Sequence, residues 1–298
     1  MKEFPETFQD FIDNFATETQ CREYLAKIKW ADGFVCPKCQ NKEAWNMGKC
    51  VKRCKECRSD ISVMKDTVFE QSKMSLRIWF QAIWYMISQK QGVSAFGLAK
   101  LLGIKRATTV WNMLQKIRGT MVKTSPDLLS GLVEIDEVFL GGVHPGKRGR
   151  GAEGKTLILV AVEDKGKAGF GRIRMQVIKD ATEKTLLKAI QEMVATGSTI
   201  RTDQHRGYPI ITKNGYTHIS TAKVAHELGE DNTPLVHRIA SLLKRWLLGT
   251  HQGGVHSEHI TSYLNEYTFR FNRRTSKSRG KLFYGLVQNM VRGRGGRW

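Results

Sequence analysis

Residues 132–140 read LVEIDEVFL, and this stretch decides how the centre of the chain folds. Its mostly apolar composition predicts a β-strand. Asp136 interrupts the apolar run between Ile135 and Val138. Because burying a carboxylate is costly unless it is paired or bound to a metal ion, the stretch predicts a strand that carries a functional acid.

The segments around this strand predict a mixed α/β domain. Their order is strand, strand, strand, helix, strand and then later helices, which is the order of an RNase H-like core, although periodicity by itself supports only the mixed α/β class. The predicted strands are 132–140, 156–163, 172–178 and 198–201, and the predicted helices are 182–194 and 235–249.

A second acid, Asp203, follows the strand predicted at 198–201. A single aspartate at a strand end is usually a turn former or a helix cap. Carboxylates at two neighbouring strand ends, however, are what a pair of Mg²⁺ ions about 3.5–4 Å apart requires. The pair Asp136 and Asp203, in this strand order, therefore indicates a catalytic metal site.

All six cysteines of the chain lie between residues 21 and 57. Four of them form two CxxC pairs, whose thiolates can close a tetrahedron around zinc. Four sulfur ligands leave no open position, so the spacing predicts a structural ion; the alternative is a redox dithiol pair, for which the surrounding sequence is not thioredoxin-like. The pairs are Cys36/Cys39 and Cys54/Cys57, and the two other cysteines, Cys21 and Cys50, are predicted to be ordinary thiols.

The stretch from Ser94 to Arg118 fits a helix-turn-helix, with a first helix that ends at Gly103 and buries Leu98 and Leu101. A second helix of this kind fits the major groove of DNA. The alternative is an ordinary helical hairpin that packs on its neighbour. The polar side chains predicted to face DNA are Lys105, Arg106, Thr108, Asn112 and Lys116.

The charge balance supports a polyanionic partner. The chain has 48 Lys plus Arg against 28 Asp plus Glu, a net charge of +20, and such an excess attracts nucleic acid, with an acidic protein or membrane surface as the alternative. No long apolar run predicts a membrane span, and the acidic start of the chain does not resemble a secretory signal. We therefore expect a cytoplasmic protein.

The composition and the hydrophobic periodicity of the sequence change at three places. These changes predict a multidomain protein of mixed α+β and α/β class. An N-terminal segment with a zinc ribbon comes first, and a helix-turn-helix-like helical domain follows. An RNase H-like catalytic domain with a mixed sheet is third, and a basic tail closes the chain as a strap for the DNA backbone. The predicted bounds are 1–70, 71–125, 126–265 and 266–298.

Several motifs together resemble the IS1595 family of insertion-sequence transposases, which carry an N-terminal zinc ribbon and an RNase H-like catalytic domain of the DDE type. The resemblance covers nearly the whole chain. It is carried by the ribbon cysteines and by the runs VEIDEVFLGG (133–142), TDQHRGY (202–208), SLLKR (241–245), YLNEY (263–267) and RFNRR (270–274).

The resemblance implies that Asp136 and Asp203 are the first two ligands of catalytic Mg²⁺ or Mn²⁺. The third ligand position lies seven residues before Lys244 and here holds His237, where many relatives have Glu. A neutral imidazole suits Mn²⁺ at least as well as Mg²⁺, while a histidine that only supports a ligand by hydrogen bonding is the alternative role. Lys244 is implied to hold a DNA phosphate. Glu230 and Glu258 are the substitute acids, that is, the alternative third ligands if the family's third position does not align with His237.

The same resemblance implies a transposase that binds the terminal inverted repeats of its element and a target duplex, as a homodimer or larger assembly, and that cleaves and joins DNA strands. It also implies a nucleoid-associated protein of a prokaryote. The rivals are a non-catalytic regulator with a degenerate RNase H-like domain, a nuclease without strand transfer, and a zinc-ribbon RNA-binding protein. Further residues expected to contact DNA are Lys147, Arg148, Arg150, Arg245, Arg273 and Arg274.

Overall fold

The computed structural model of the chain describes residues 4–122, 127–141, 155–203, 206–220, 233–252 and 255–292. The chain divides into two compact units. The first unit combines residues 1–124 with residues 276–298, and the second comprises residues 125–275. The four-part division predicted from sequence differs from this one, because the ribbon and the helical stretch lie in one unit and the last segment returns to it.

The first unit is a set of helices with a small three-stranded sheet. Thr7 and Thr17 begin its first two helices with capping boxes, in which each threonine hydroxyl accepts a hydrogen bond from a backbone N–H three residues on. The sheet has the order β1-β2-β3 with antiparallel neighbours. The elements are α1 (Phe8–Asn14), α2 (Glu18–Lys29), β1 (Ala44–Asn46), β2 (Val51–Cys54), β3 (Asp60–Ser62), α3 (Leu76–Ser88), α4 (Ala95–Leu101), α5 (Ala107–Gly119) and, from the end of the chain, α9 (Arg279–Arg292).

The helices α4 and α5 form the predicted pair around a short turn at Gly103, where φ is +67° and favours glycine. Leu98 is buried as expected. Leu101, also predicted to be buried, is 59% exposed, because α4 ends at this residue and its buried face is centred on Leu98 and Ala99.

Helix α9 corrects the prediction that residues 266–298 form a basic tail. Its buried residues Phe283, Leu286, Val287 and Met290 recur at helical spacing and complete the core of the first unit. The Phe283 ring lies 5.3–5.9 Å from the rings of Phe80, Phe11 and Trp84, among others. The prediction was drawn from the basic residues of the segment, although its apolar residues decide its place.

We expect Phe283→Ala to lower the free energy of unfolding by about 3–5 kcal/mol, the usual cost of removing a buried aromatic ring. Chemical denaturation followed by circular dichroism measures this. The matched control is Arg279→Ala, which removes an exposed cation from the same helix and should change stability by less than about 0.5 kcal/mol. A segment that acts as a solvated strap would tolerate both changes equally.

The second unit is built on a five-stranded mixed sheet of order β6-β5-β4-β7-β8. Strands β4, β5 and β6 are antiparallel neighbours, while β7 pairs parallel to β4 and β8 pairs parallel to β7. The elements are β4 (Leu132–Leu140), β5 (Thr156–Asp164), β6 (Phe170–Val177), α6 (Glu183–Met193), β7 (Thr199–Thr202), β8 (Thr217–Ser220), α7 (Pro234–His251) and α8 (Ile260–Asn272).

Helices cover both faces of this sheet. Alternation along β4 sends Val133 and Ile135 to one face, where they join the cluster that contains α6. Val138 and Leu140 join the opposite cluster, which contains α7 and α8. Glu134 and Asp136 lie on the α7 face as well, since Glu134 accepts a hydrogen bond from Val236 and Asp136 contacts His237.

The fold class predicted from sequence is confirmed: the chain has a ribbon-like cysteine cluster and a five-stranded mixed sheet consistent with an RNase H-like domain. Within the described ranges, no helix is long and apolar enough to cross a bilayer.

Candidate functional site

The pairing of β4 with β7 brings the two predicted acids to one edge of the sheet. In this parallel ladder Leu132 lies beside Thr199 and Glu134 beside Arg201. Extending the register by two residues puts Asp203, just past the end of β7, beside Asp136. Neighbouring strands lie about 4.8 Å apart, so the two carboxylates share one neighbourhood.

The histidine of α7 reaches Asp136. His237 Nε2 lies 3.3 Å from Asp136 Oδ2, and the imidazole is 53% exposed while Asp136 is 13% exposed. Thr233, the residue before α7, donates a hydrogen bond from its hydroxyl to the same Oδ2 atom at 2.7 Å, and His237 Nε2 lies 3.4 Å from that hydroxyl. Asp136, Thr233 and His237 therefore form one contact group, which opens to solvent at the histidine.

A cavity of about 650 Å³ adjoins the two aspartates, which both line it. It lies at the end of β4 and the beginnings of β5 and α6. Its charged lining combines acids with two lysines, so it presents both metal-ligand oxygens and cations for phosphate. These charged residues are Asp136, Glu137, Asp180 and Asp203 on the acidic side and Lys155 and Lys179 on the basic side.

Burial raises the pKa of Asp136, and the negative charge of Asp203 raises it further. The hydrogen bond from Thr233 acts in the opposite direction and lowers the pKa. A carboxylate whose pKa is raised by burial and by a second negative charge gains from a bound cation. On the opposite side of β4, Tyr208 donates a hydrogen bond to Glu137 Oε1 at 2.6 Å, and burial raises the pKa of the tyrosine well above its usual value.

The three predicted ligands, Asp136, Asp203 and His237, come together only in part. Among the residues that the structure describes, the one group of three or more Cys, His, Asp or Glu ligand atoms that all lie within 4.8 Å of one another is the cysteine group of the ribbon. The contact of His237 with Asp136 and the shared cavity of Asp136 and Asp203 thus place the three side chains around one site without drawing them into so tight a cluster. The donor set of two carboxylates and one imidazole nevertheless fits Mn²⁺ or Mg²⁺.

Two residues of this site were missed by the reading of the sequence. Thr233 is the N-cap of α7, yet its side chain makes no cap hydrogen bond and turns to Asp136 instead. Glu134, fully buried, contacts both α7 and Arg201. A signal for Glu134 was present, since it lies two residues before Asp136 and so on the same face of the strand. The role of Thr233 had no signal in the sequence.

The four ribbon cysteines converge as predicted. The Sγ atoms of Cys36 and Cys57 lie 3.5 Å apart, as do those of Cys39 and Cys54. A tetrahedron with Zn–S bonds of about 2.3 Å has sulfur atoms about 3.8 Å apart, so this cluster fits a zinc ion. Cys21 and Cys50 lie outside the cluster.

The residues predicted to contact DNA differ in their surroundings. Lys105, Arg106, Thr108 and Asn112 are exposed on and before α5, while Lys116 is half-buried. On α7, Lys244 and Arg245 are exposed. The predicted loop cations Lys147, Arg148 and Arg150, and the substitute acid Glu230, lie outside the described residues; the other substitute acid, Glu258, contacts His259 at 3.5 Å.

Arg273 and Arg274 have contacts within the second unit. The Arg273 guanidinium lies 4.2 Å from the centre of the Phe269 ring, and burial lowers its pKa. Arg274 stacks on Phe271 and donates hydrogen bonds to the backbone carbonyls of Phe271 and Gly171. Arg274 thus joins the end of α8 to β6, while Arg273 packs on α8, and both arginines have a structural role beside the predicted one.

Comparisons with known proteins match both the cysteine-containing region and the unit with the five-stranded sheet. The family model of the ISXO2-like transposase domain matches residues 128–272, and that of the transposase zinc-ribbon domain matches residues 16–60. The chain is also similar to an uncharacterized protein in transposable element ISH50 of Halobacterium salinarum. The two are 28% identical over 284 residues, which cover 87% of this chain and 92% of that protein.

Proposed function

Since the chain belongs to the IS1595 family of transposases, we propose that it binds the ends of an insertion sequence and cleaves and joins DNA strands with divalent cations. One observation carries the proposal: Asp136 and Asp203 line a single cavity, and His237 Nε2 lies 3.3 Å from Asp136 Oδ2. Two partly buried carboxylates beside one cavity are costly unless a cation or a partner compensates them.

In this proposal the side chains of the site have different roles in the reaction. Asp136 and Asp203 would supply carboxylate oxygens, and His237 an imidazole nitrogen, to hold Mg²⁺ or Mn²⁺. Such cations lower the pKa of a water molecule and neutralise charge on a phosphate during in-line displacement. Thr233 holds the Asp136 carboxylate in one orientation through its 2.7 Å hydrogen bond. Lys244, exposed two turns after His237 on α7, contacts a phosphate of the DNA strand.

Recognition of the element ends belongs to the first unit in this proposal. The exposed polar residues of α5 contact the major groove, and the zinc ribbon adds further contacts to the DNA backbone. The net charge of +20 supports a polyanionic partner. Assembly of two or more copies on paired element ends is part of the same proposal.

The test uses purified protein, a DNA fragment that ends in the element's terminal repeat, a supercoiled target plasmid, and Mg²⁺ or Mn²⁺. The expected result is cleavage at the repeat followed by fragments joined to the plasmid. Cleavage without joined products would identify a nuclease. Specific binding without any cleavage in either metal would identify a DNA-binding regulator, and binding that prefers single-stranded RNA would contradict the proposal altogether.

Replacement of the histidine gives a more specific prediction. We expect His237→Ala to lower strand cleavage roughly 10- to 100-fold and to change the ratio of the Mn²⁺- and Mg²⁺-supported rates, because imidazole favours Mn²⁺. His256→Ala is the matched control, since His256 is an exposed histidine of the same unit. Cleavage rates at several concentrations of each metal measure the effect. An unchanged ratio and rate would assign His237 to the scaffold.

A further inference from the structure

The buried carboxylate of Glu134 connects the catalytic strand to the helix that carries His237. Glu134 lies on the same face of β4 as Asp136, two residues earlier, and is fully buried. A carboxylate with no exposure to solvent must be compensated by its protein neighbours. Its partners therefore show what it is there to hold.

The first partners of Glu134 are backbone groups of α7. Its Oε1 atom accepts a hydrogen bond from the Val236 N–H at 2.8 Å. The neighbouring Leu235 N–H also favours the charged carboxylate, against the burial that raises the pKa of Glu134. These groups belong to the first turn of the helix, where backbone donors have no partner within the helix and the helix dipole is positive. Pro234 occupies the first position of the helix and has no N–H to offer.

The side chain at the N-cap of α7 does not cap the helix, because it binds Asp136 instead. Thr233 stands at the N-cap position, but its hydroxyl donates to Asp136 and makes no cap hydrogen bond. Glu134 therefore takes over the part of a capping side chain from a different element of the fold. The beginning of α7 is held to β4 at two points, through Glu134 and through Asp136.

The second partner of Glu134 is Arg201 on β7. Arg201 Nη1 lies 3.4 Å from Glu134 Oε2 and 3.0 Å from Asp164 Oδ2 on β5. One guanidinium thus joins the carboxylates of two strands, and this network connects β4, β5 and β7 to α7. Arg201 lies two residues before Asp203, so the strand that precedes the second acid is tied to the same carboxylate.

We infer that Glu134 is a positioning residue that sets the distance between His237 and Asp136 by holding the first turn of α7 against β4. His237 is the fourth residue of α7, directly after the turn that Glu134 binds. Because a helix moves as a rigid element, loosening its first turn displaces the imidazole from the aspartate. The inference rests on the proposed function, since it gives the position of His237 a role in cation binding.

The test measures Mn²⁺ affinity in the absence of DNA and amide hydrogen exchange in metal-free protein. Glu134→Gln keeps the size of the side chain but removes the charge that pairs with Arg201. We expect the variant to bind Mn²⁺ about 10- to 100-fold more weakly than the native protein, the range seen when a group that orients a metal ligand is lost. The Leu235 and Val236 amides should exchange faster.

The matched control is Glu163→Gln. Glu163 is a buried carboxylate of the same sheet. It pairs with Arg172 at 2.7 Å and accepts hydrogen bonds from Arg172 and from the Ser130 N–H, both of which lie away from α7 in the sequence. The control should lose stability but keep Mn²⁺ affinity and the exchange of the α7 amides. Equal losses in the two variants would mean that Glu134 contributes only to general stability, which overturns the inference.

A second comparison tests whether Glu134 affects Mn²⁺ binding through His237. In a His237→Ala background, Glu134→Gln should weaken Mn²⁺ binding by no more than about 2-fold, because coupled residues are not additive. Full additivity would overturn the inference. If Glu134→Gln does not fold, Glu134→Asp replaces it, since a carboxylate one methylene shorter keeps its charge but no longer reaches the α7 amides.

The two proposals can fail separately. Native protein that binds Mn²⁺ no better than Asp136→Asn contradicts the proposed function and removes the cation-binding part of the inference with it. Amide exchange in the metal-free variants then decides by itself whether Glu134 holds the first turn of α7. Unchanged exchange in Glu134→Gln overturns that part as well.

Discussion

Asp136→Asn lowers the rate of strand cleavage on the order of 10³-fold or more, which corresponds to roughly 4 kcal/mol of lost transition-state stabilisation. The asparagine keeps the shape of the side chain and can still accept the hydrogen bond from Thr233. It lacks the negative charge that a divalent cation requires, and it leaves Asp203 as the one acid of the predicted ligand set. Asp203→Asn should have an effect of the same order.

The measurement is cleavage of a labelled element end, read beside the affinity of the same protein for that DNA. Binding should stay within a few-fold of native, because the proposed recognition residues lie in the first unit. Asp127→Asn is the matched control, since it removes an exposed carboxylate from the second unit. Retained cleavage in the Asp136 and Asp203 variants would refute their assignment as cation ligands.

Removal of zinc has the second large effect. The core of the ribbon consists of Phe34, Cys36, Cys54 and Ile61, so two of its four buried residues are themselves zinc ligands. A core of this size does not support folding by itself, and a structural zinc ion contributes about 10–16 kcal/mol in small zinc domains. We therefore expect chelation of zinc, or Cys54→Ser, to unfold the ribbon.

Metal analysis, the NMR signal of the Trp45 indole and affinity for the element end measure this loss. Each should change in Cys54→Ser, whereas helical circular dichroism should largely persist, because the aromatic core around Phe283 lies in the helices. Cys50→Ser is the control, since Cys50 lies outside the cysteine cluster. Purified native protein without bound zinc but with a folded ribbon would contradict the prediction.

Local features of the fold could be predicted because they depend on near neighbours in the chain. Strand β4 was predicted at 132–140 and spans those residues. The two CxxC pairs predicted the ribbon for the same reason, since each pair is already within reach of one ion. Strand β8, by contrast, is four residues long and mostly exposed at the sheet edge, so it has no apolar alternation by which to predict it.

The candidate site could be predicted only in part. Asp136 and Asp203 were chosen as acids at strand ends, and His237 through resemblance to a family. Their approach depends on the parallel pairing of β4 with β7, which joins residues 67 positions apart. The roles of Thr233 and Glu134 depend on where the first turn of α7 lies, and side-chain periodicity carries no information about that.

The sequence by itself determined the class of each segment: the buried strand with its acid, the zinc ligands, and the basic character of the chain. Only the tertiary structure decided which acids meet, that α7 begins against β4, and that the last basic segment is a core helix. The physical reason is that burial and covalent spacing act locally along the chain. Contacts between distant residues exist only after β-sheet pairing and helix packing have formed.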